Sequence, residues 1–390
     1  MKKMVQFGLV VMTLLCAVLI ACASGPKEIN GIPVSKSGDF EYQKIEFKMA
    51  SDGSKQKGIQ IESYTGKSEE VAIPEKINGQ NVIVIGNSNK SQNRLPVFQN
   101  IKKIGIPDTV ISIWAVAFQG NNLTEVTLPP NLDYLNGFNM NPISSITIPE
   151  SVTKIGYYAF AGCQLTDIVI PKNVKTIEQR AFMQNKLTSL TIPASVTKIE
   201  NEAFINNQIT EITIEDGGTE LSFGSNVFAG NPINLADIII PDSIRKIKDD
   251  MFEMTIQGQG KERTITLTGL LKKADKNNVN WNEVVIPETL YGMQVTGLGK
   301  GLFKFGYNIG KLSLPASLKT IDPDTCGIAP DGIKYTLVSS IEAPNDKVKA
   351  LWDTYYAGLK ERKSSQYEEH MQGLNRMLQL IENFDKSLNK

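Results

Sequence analysis

The chain has 390 residues, 41 Lys+Arg against 41 Asp+Glu, and 41% hydrophobic residues. That length allows one long array or two ordinary domains. The balanced charge gives no electrostatic support to a nucleic-acid or polyanion partner, and a single histidine, His370, leaves little for histidine-based catalysis.

In chain order, Lys2 and Lys3 precede a mostly apolar run from Met4 to Ile20, slightly short for a permanent membrane span. The run ends in Leu19-Ile20-Ala21-Cys22, which resembles a bacterial lipobox. That resemblance implies lipidation of Cys22 and cleavage before it, with several acyl chains on one residue giving firm anchoring. The alternative is a plain secretory signal carrying an incidental cysteine. Residues 1–21 thus read as signal, and 22–36, opening Cys22-Ala23-Ser24-Gly25-Pro26, as a tether. Only Cys163 and Cys326 then remain, far apart in sequence, so the fold is expected to rest on its core rather than on disulfides.

Residues 37–70 alternate loosely, with Phe40, Tyr42, Ile45 and Phe47, then Ile59, Ile61 and Tyr64, around Asp52-Gly53. They read as a β hairpin capping the array, because the end of a solenoid otherwise exposes apolar surface and unpaired backbone. Residues 71–256 form the main array. Pro149, Pro171 and Pro193 stand 22 apart, as do Phe160, Phe182 and Phe204. The Ile/Leu-Pro step recurs at Pro107, Pro129 and Pro241, with Glu215 in one proline position. A fixed period in the twenties with Leu/Ile at fixed offsets predicts a mainly β repeat solenoid, a right-handed leucine-rich-repeat coil of about 22-residue repeats. In each coil Leu187, Leu190 and Ile192, or their counterparts, are expected to form an inward-facing strand ended by proline. Val196 and Ile199 fill a second side, and Ala203-Phe204 closes the third. Phe118, Phe138, Phe160, Phe182, Phe204, Phe228 and Phe252 would stack as a spine. Eight residues before each proline position stand Gln99, Asn121, Asn141, Cys163, Asn185 and Asn207. These are predicted to form a ladder satisfying backbone groups between coils, with Cys163 a buried structural thiol.

Val284-Val285-Ile286-Pro287 opens a phrase related to Val71-Ala72-Ile73-Pro74, and both follow an alternating β segment. Residues 257–343 therefore read as a second, short array that duplicates the start of the first. From 344 to 390 the chain turns helical, with Val348, Trp352, Tyr355 and Leu359 stepping by 4, 3 and 4, and a stripe resuming at Tyr367 and Met371. Lys363-Ser364-Ser365-Gln366 is expected to divide it into two helices. These helices are read as a cap on the array, with a partner-binding helix as the alternative.

The outward positions between inward Leu/Ile residues form two columns. One holds Gly105, Thr127, Thr147, Val169, Thr191 and Thr213; the other holds Lys103, Glu125, Ser145, Asp167, Ser189 and Glu211. At about 4.8 Å per coil, six coils present a stripe roughly 25–30 Å long, enough for a protein or glycan partner. These columns are the candidate ligand-binding face, with Tyr157-Tyr158 and Arg180 on the opposite turns, and the C-terminal helix, as competitors. Enzyme chemistry finds little support: there is no His/Cys metal spacing, no phosphate-cradling loop, and no cofactor motif.

The unit L-x-x-L-x-I-P-x-S-V-T-K-I-x-x-x-A-F, preceded by Asn or Cys, resembles the BspA-like, or TpLRR-type, leucine-rich repeats over about residues 59–325. The resemblance implies an exported or surface-anchored bacterial protein of the cell envelope, outer membrane or cell surface, binding protein or glycoprotein ligands in adhesion, with no shared catalytic residues. The alternative is a periplasmic or outer-membrane scaffold.

Overall fold

The computed structural model describes residues 28–86, 96–233, 238–249, 252–270, 280–303, 308–326 and 337–388. Cys22 and the segment 1–21 lie outside them. The chain is mainly β, a solenoid followed by a C-terminal helix. It divides into two compact units, Met1–Glu215 with Gly224–Ile233, and Asp216–Phe223 with Asn234–Lys390.

The described part of the first unit opens with a hairpin, where a tether was expected. β1 (Glu28–Ile29) runs antiparallel to β2 (Ile32–Pro33) across Asn30 and Gly31, both in the left-handed region. Ser35 N donates to Ala72 O at 2.9 Å, and Ile32 is buried. From residue 28 the stretch read as tether is therefore folded. A longer hairpin follows, β3 (Phe40–Lys48) with β4 (Lys55–Tyr64). Its turn is closed by Asp52, whose carboxylate accepts Ser54 N at 2.8 Å, and by Gly53 at φ 73°. β5 (Glu70–Ala72) pairs in parallel with β8 (Lys103–Gly105), and β6 (Lys76–Ile77) turns back on β7 (Gln80–Ile85).

From β4 and β7 one sheet continues through the coils with two residues per coil. Its strands are β9 (Ser112–Ile113), β10 (Tyr134–Leu135), β11 (Lys154–Ile155), β12 (Thr176–Ile177) and β14 (Lys198–Ile199), all parallel. Ile85, Ile113, Leu135, Ile155, Ile177 and Ile199 form its inward row, each fully buried. The expectation of a strand on the Leu-x-x-Leu-x-Ile side of every coil is corrected. Among the described residues of the first unit that side has strand geometry only in β5 with β8, and in β13 (Ser189–Ile192) with β15 (Glu211–Ile214). Both sides carry closely spaced apolar residues, and that pattern alone cannot tell which one closes backbone hydrogen bonds.

The third side carries the phenylalanines. Phe98, Phe118, Phe138, Phe160, Phe182, Phe204 and Phe228 stack with centroid spacings of 4.9, 4.9, 5.9, 5.7, 5.2 and 5.9 Å and small interplanar angles, an offset-stacked arrangement that aromatic quadrupoles favour. Tyr64 stacks on Phe98 at 5.5 Å and Phe40 lies 5.4 Å from Tyr64, so the hairpin closes the open end of the column. Phe252 belongs to the second unit, where it is buried.

Beside the rings runs the asparagine ladder. Asn185 Nδ2 donates to Phe160 O (2.8 Å) and Phe182 O (3.1 Å), and its Oδ1 accepts Leu165 N (3.0 Å). Asn121, Asn141 and Asn207 repeat the pattern. Asn231 is a further rung, bonding Phe204 O, Phe228 O and Ile209 N. Cys163 occupies one rung and makes only a 3.4 Å contact from Sγ to Phe138 O. Gln99 is exposed: the step from Phe98 to Ile101 is two residues shorter than that from Phe118 to Leu123, which leaves the rung position outside the core.

The second unit opens with β16 (Glu220–Phe223), parallel to β17 (Lys246–Lys248). It repeats the hairpin module: β18 (Phe252–Gln257) and β19 (Thr264–Leu270) are antiparallel, and β19 pairs in parallel with β22 (Met293–Leu298) as β4 does with β7. Even the register slips match, Ile59↔Val82 then Gln60↔Val84 against Ile265↔Val295 then Thr266↔Gly297. β21 (Thr289–Leu290) turns back on β22, which also pairs with β24 (Thr320–Ile321). β20 (Asn280–Val285), β23 (Asn308–Ser313) and β25 (Leu337–Glu342) form a parallel sheet. The tail is one continuous helix, α1 (Asp346–Leu388), with no division at Lys363–Gln366. Val348, Trp352, Tyr355 and Leu359 are buried, and Tyr355 Oη accepts Cys326 N at 2.7 Å. The onward stripe emerges at Tyr367 and Met371, both exposed. No helix among the described residues is long and apolar enough to cross a membrane.

Candidate functional site

The first unit presents two ordered faces. The outward columns read from the sequence make one. Lys103, Glu125, Thr127, Ser145, Thr147, Asp167, Val169, Ser189, Thr191, Glu211 and Thr213 are all exposed. Gly105 is not: it is buried beneath β1, where a Cβ would meet Ile29 O at 2.6 Å and Ala72 Cβ at 3.1 Å, so only glycine fits there. In the best-formed stretch Ser189 faces Glu211 and Thr191 faces Thr213 in direct register. Lys103 pairs with Glu70 at 2.8 Å, and that contact holds its ammonium above its ordinary range. Among the described residues Glu125, Asp167 and Glu211 have no ion pair. They stand on every second coil, about 9–10 Å apart by strand spacing. Val169, at 74% exposure, is the one bare apolar side chain among them.

The other face is the outer surface of the β9–β14 sheet and its turns. Sequence reasoning passed over most of it. Trp114 lies 5.7 Å from Tyr134, and Lys154 sits 5.6 Å above the Tyr134 ring. Lys154 Nζ reaches Glu178 at 2.6 Å, and Tyr134 Oη donates to the same carboxylate at 3.1 Å. Burial is the main cause that pushes the Tyr134 hydroxyl well above its ordinary range, reinforced by Glu178. Gly156 makes room for this, since a Cβ there would lie 2.5 Å from Tyr134 Oη. At the following turn Tyr158, Arg180 and Glu202 all take φ 59°, an uncommon backbone for such side chains. Their side chains form a ladder in which the Arg180 guanidinium donates to Tyr158 Oη and to the Glu202 carboxylate. Tyr157 packs edge-on against Tyr158 at 4.4 Å and is 45% exposed. The residue preceding each inward Ile, in Tyr134-Leu135, Lys154-Ile155 and Lys198-Ile199, is the sequence signal that marks this outer row.

Residues 96–138 and 135–257 match the BspA-type leucine-rich-repeat region, in six copies. These coils are BspA-type leucine-rich repeats. Repeats of this family belong to binding and surface-interaction proteins. Three solved structures are similar to this chain. The T. pallidum leucine-rich-repeat protein TpLRR is 23% identical over 50% of this chain and 88% of its own, with a TM-score of 0.37. A leucine-rich cell surface protein of Faecalibacterium prausnitzii A2-165 is 18% identical over 82% of this chain and 77% of its own, at 0.34. The pneumococcal vaccine antigen PcpA is 13% identical over 84% and 97%, at 0.37. The family assignment rests on the repeats and not on these likenesses. No curated protein matches the chain. Among the described residues no cluster of His, Cys, Asp or Glu is arranged to hold a metal.

Proposed function

We propose that this BspA-type array is an exported binding module, anchored to the bacterial envelope through a lipid on Cys22, whose outward columns contact a protein or glycan at the cell surface. One observation carries the choice of face. On the sheet side the charges satisfy one another, Lys154 with Glu178, Arg180 with Glu202 and Lys198 with Glu200. On the outward columns Glu125, Asp167 and Glu211 have no such partners among the described residues, and Val169 stands bare between them. Charge left unpaired on a regular, exposed grid is available to a complementary surface. The test is capture of matrix glycoproteins and envelope extracts by the purified chain, with a Glu125→Lys/Asp167→Lys/Glu211→Lys variant beside it. Loss of capture with an unchanged melting curve is expected; capture that survives the triple reversal sinks this choice of face.

A second reading places the contact at Tyr157, Tyr158 and Arg180, because aromatic rings and arginine dominate binding hot spots and Tyr157 is exposed. Tyr157→Ala tests it in the same assay. A scaffold role inside the envelope is separated from both by adding protease to intact cells. A chain that stays whole until the cells are lysed does not face the medium.

A further inference from the structure

A groove of about 880 Å³ lies in the first unit. Its size is that of a ligand pocket. The β3–β4 turn forms one wall through Met49 and Ser51, and the corners after the Ile-Pro steps form another. The turn is fixed in place by a buried carboxylate: Asp133, 1% exposed, accepts Ala50 N (2.5 Å) and Ser51 N (3.2 Å) on one oxygen and Thr153 Oγ1 (2.7 Å) on the other. The wall is thus built into the fold. Ile83 and Ile111 give the groove an apolar floor, and among the described residues no Lys or Arg lines it.

The duplicated module shows what is unusual here. In the second unit Glu288 follows the Ile-Pro step, and its carboxylate accepts Ala316 N (2.7 Å) and Ser317 N (2.9 Å) of the next coil. Glu150 accepts Lys172 N in the same way at 3.2 Å. Glu75 is the counterpart of Glu288 in the first unit. Its carbonyl receives Val82 N as that of Glu288 receives Val295 N, and Thr109 Oγ1 donates to Val82 O as Ser317 Oγ donates to Val295 O. Yet the Glu75 carboxylate has no partner among the described residues. The corner it would bond carries Asp108, a like charge, where the second unit has Ala316. Both acids line the groove, with Glu28 beside them. A carboxylate that closes a corner in the other copy is here left half-buried at the side of an open, half-apolar groove, with a second, exposed acid added.

We propose that this groove binds a small organic cation, an alkylammonium or alkylguanidinium whose apolar stem lies on Ile83 and Ile111 and whose charge is held between Glu75 and Asp108. The proposal is independent of which array face contacts a macromolecule. Isothermal titration of the purified protein uses agmatine as a free cation, N-acetyl-arginine methylamide as a peptide-borne one, and N-acetyl-citrulline methylamide as the neutral isostere. At least one cation is expected to bind, the citrulline compound about tenfold more weakly or worse, and the affinity should fall with added salt. Glu75→Gln/Asp108→Asn should lose the same factor with an unchanged unfolding midpoint, and Glu150→Gln should lose none. Equal binding of the citrulline compound, no binding of either cation, or full affinity in the double variant overturns the proposal. Saturation by calcium chloride with no response to either organic cation overturns it as well.

Discussion

At the scale of single residues, the ladder separates what a position bears from what occupies it. Asn185 satisfies two carbonyls and one amide that no water reaches. Asn185→Ala leaves Leu165 N–H without that acceptor, and should cost about 1–3 kcal/mol, read as a lower denaturation midpoint. Cys163 is the inverse case. Its sulfur reaches one carbonyl, and restoring the rung with Cys163→Asn is expected to stabilise the fold by about 1 kcal/mol. If that variant melts below the parent, the cysteine is there for its packing. Burial raises the Cys163 thiol from its ordinary 9.0 to about 11, and Cys326 likewise. A group raised on folding contributes its stability in full below the unfolded value and loses it as the pH climbs through the folded one. The fold should therefore hold at neutral pH, weaken between about pH 9 and 11, and show no labelling of Cys163 or Cys326 at pH 8 until it unfolds.

At the scale of elements, the phenylalanine column was legible because equal spacing in sequence becomes stacking in space. Phe182 is fully buried between two rings. Phe182→Ala should cost about 3–5 kcal/mol, and an unmoved thermal transition would contradict it. Other parts were not legible, for definite reasons. Phe98 stands nine residues before Pro107 where Phe118, Phe138, Phe160 and Phe182 stand eleven before their prolines, so the shorter step hid it. Asn231 stands ten residues before Pro241 where the other rungs stand eight, so the longer coil hid it. The side of the coil that forms the sheet is decided by backbone hydrogen bonds, which leave no trace in apolar spacing. The groove depends on Asp133 meeting Ala50 across 83 positions of sequence, a contact that no local pattern announces. The continuous helix α1 formed through Lys363–Gln366 because serine weakens a helix without ending it.

At the scale of the molecule, the same hairpin and parallel strand, down to the same register slip, recur in both units. The sequence showed this as two related phrases. It did not show that Glu75 and Glu288 would diverge in use. The exported, lipid-anchored reading makes a prediction at this scale. Cys22→Ala should abolish incorporation of a fatty-acid label, and a chain still labelled after that change would place its lipid elsewhere.

The gap at Cys163 has a mechanical consequence. In an array where each coil holds only its neighbours, load passes through every junction in series, and the weakest one sets where the chain parts. Besides the backbone bonds that cross every junction, asparagine rungs sew most junctions of the first unit on three backbone groups, while the rung at Cys163 adds a single sulfur contact. Pulled from its ends, this unit should open first between the coils of Phe138 and Phe160, a seam that Cys163→Asn would close.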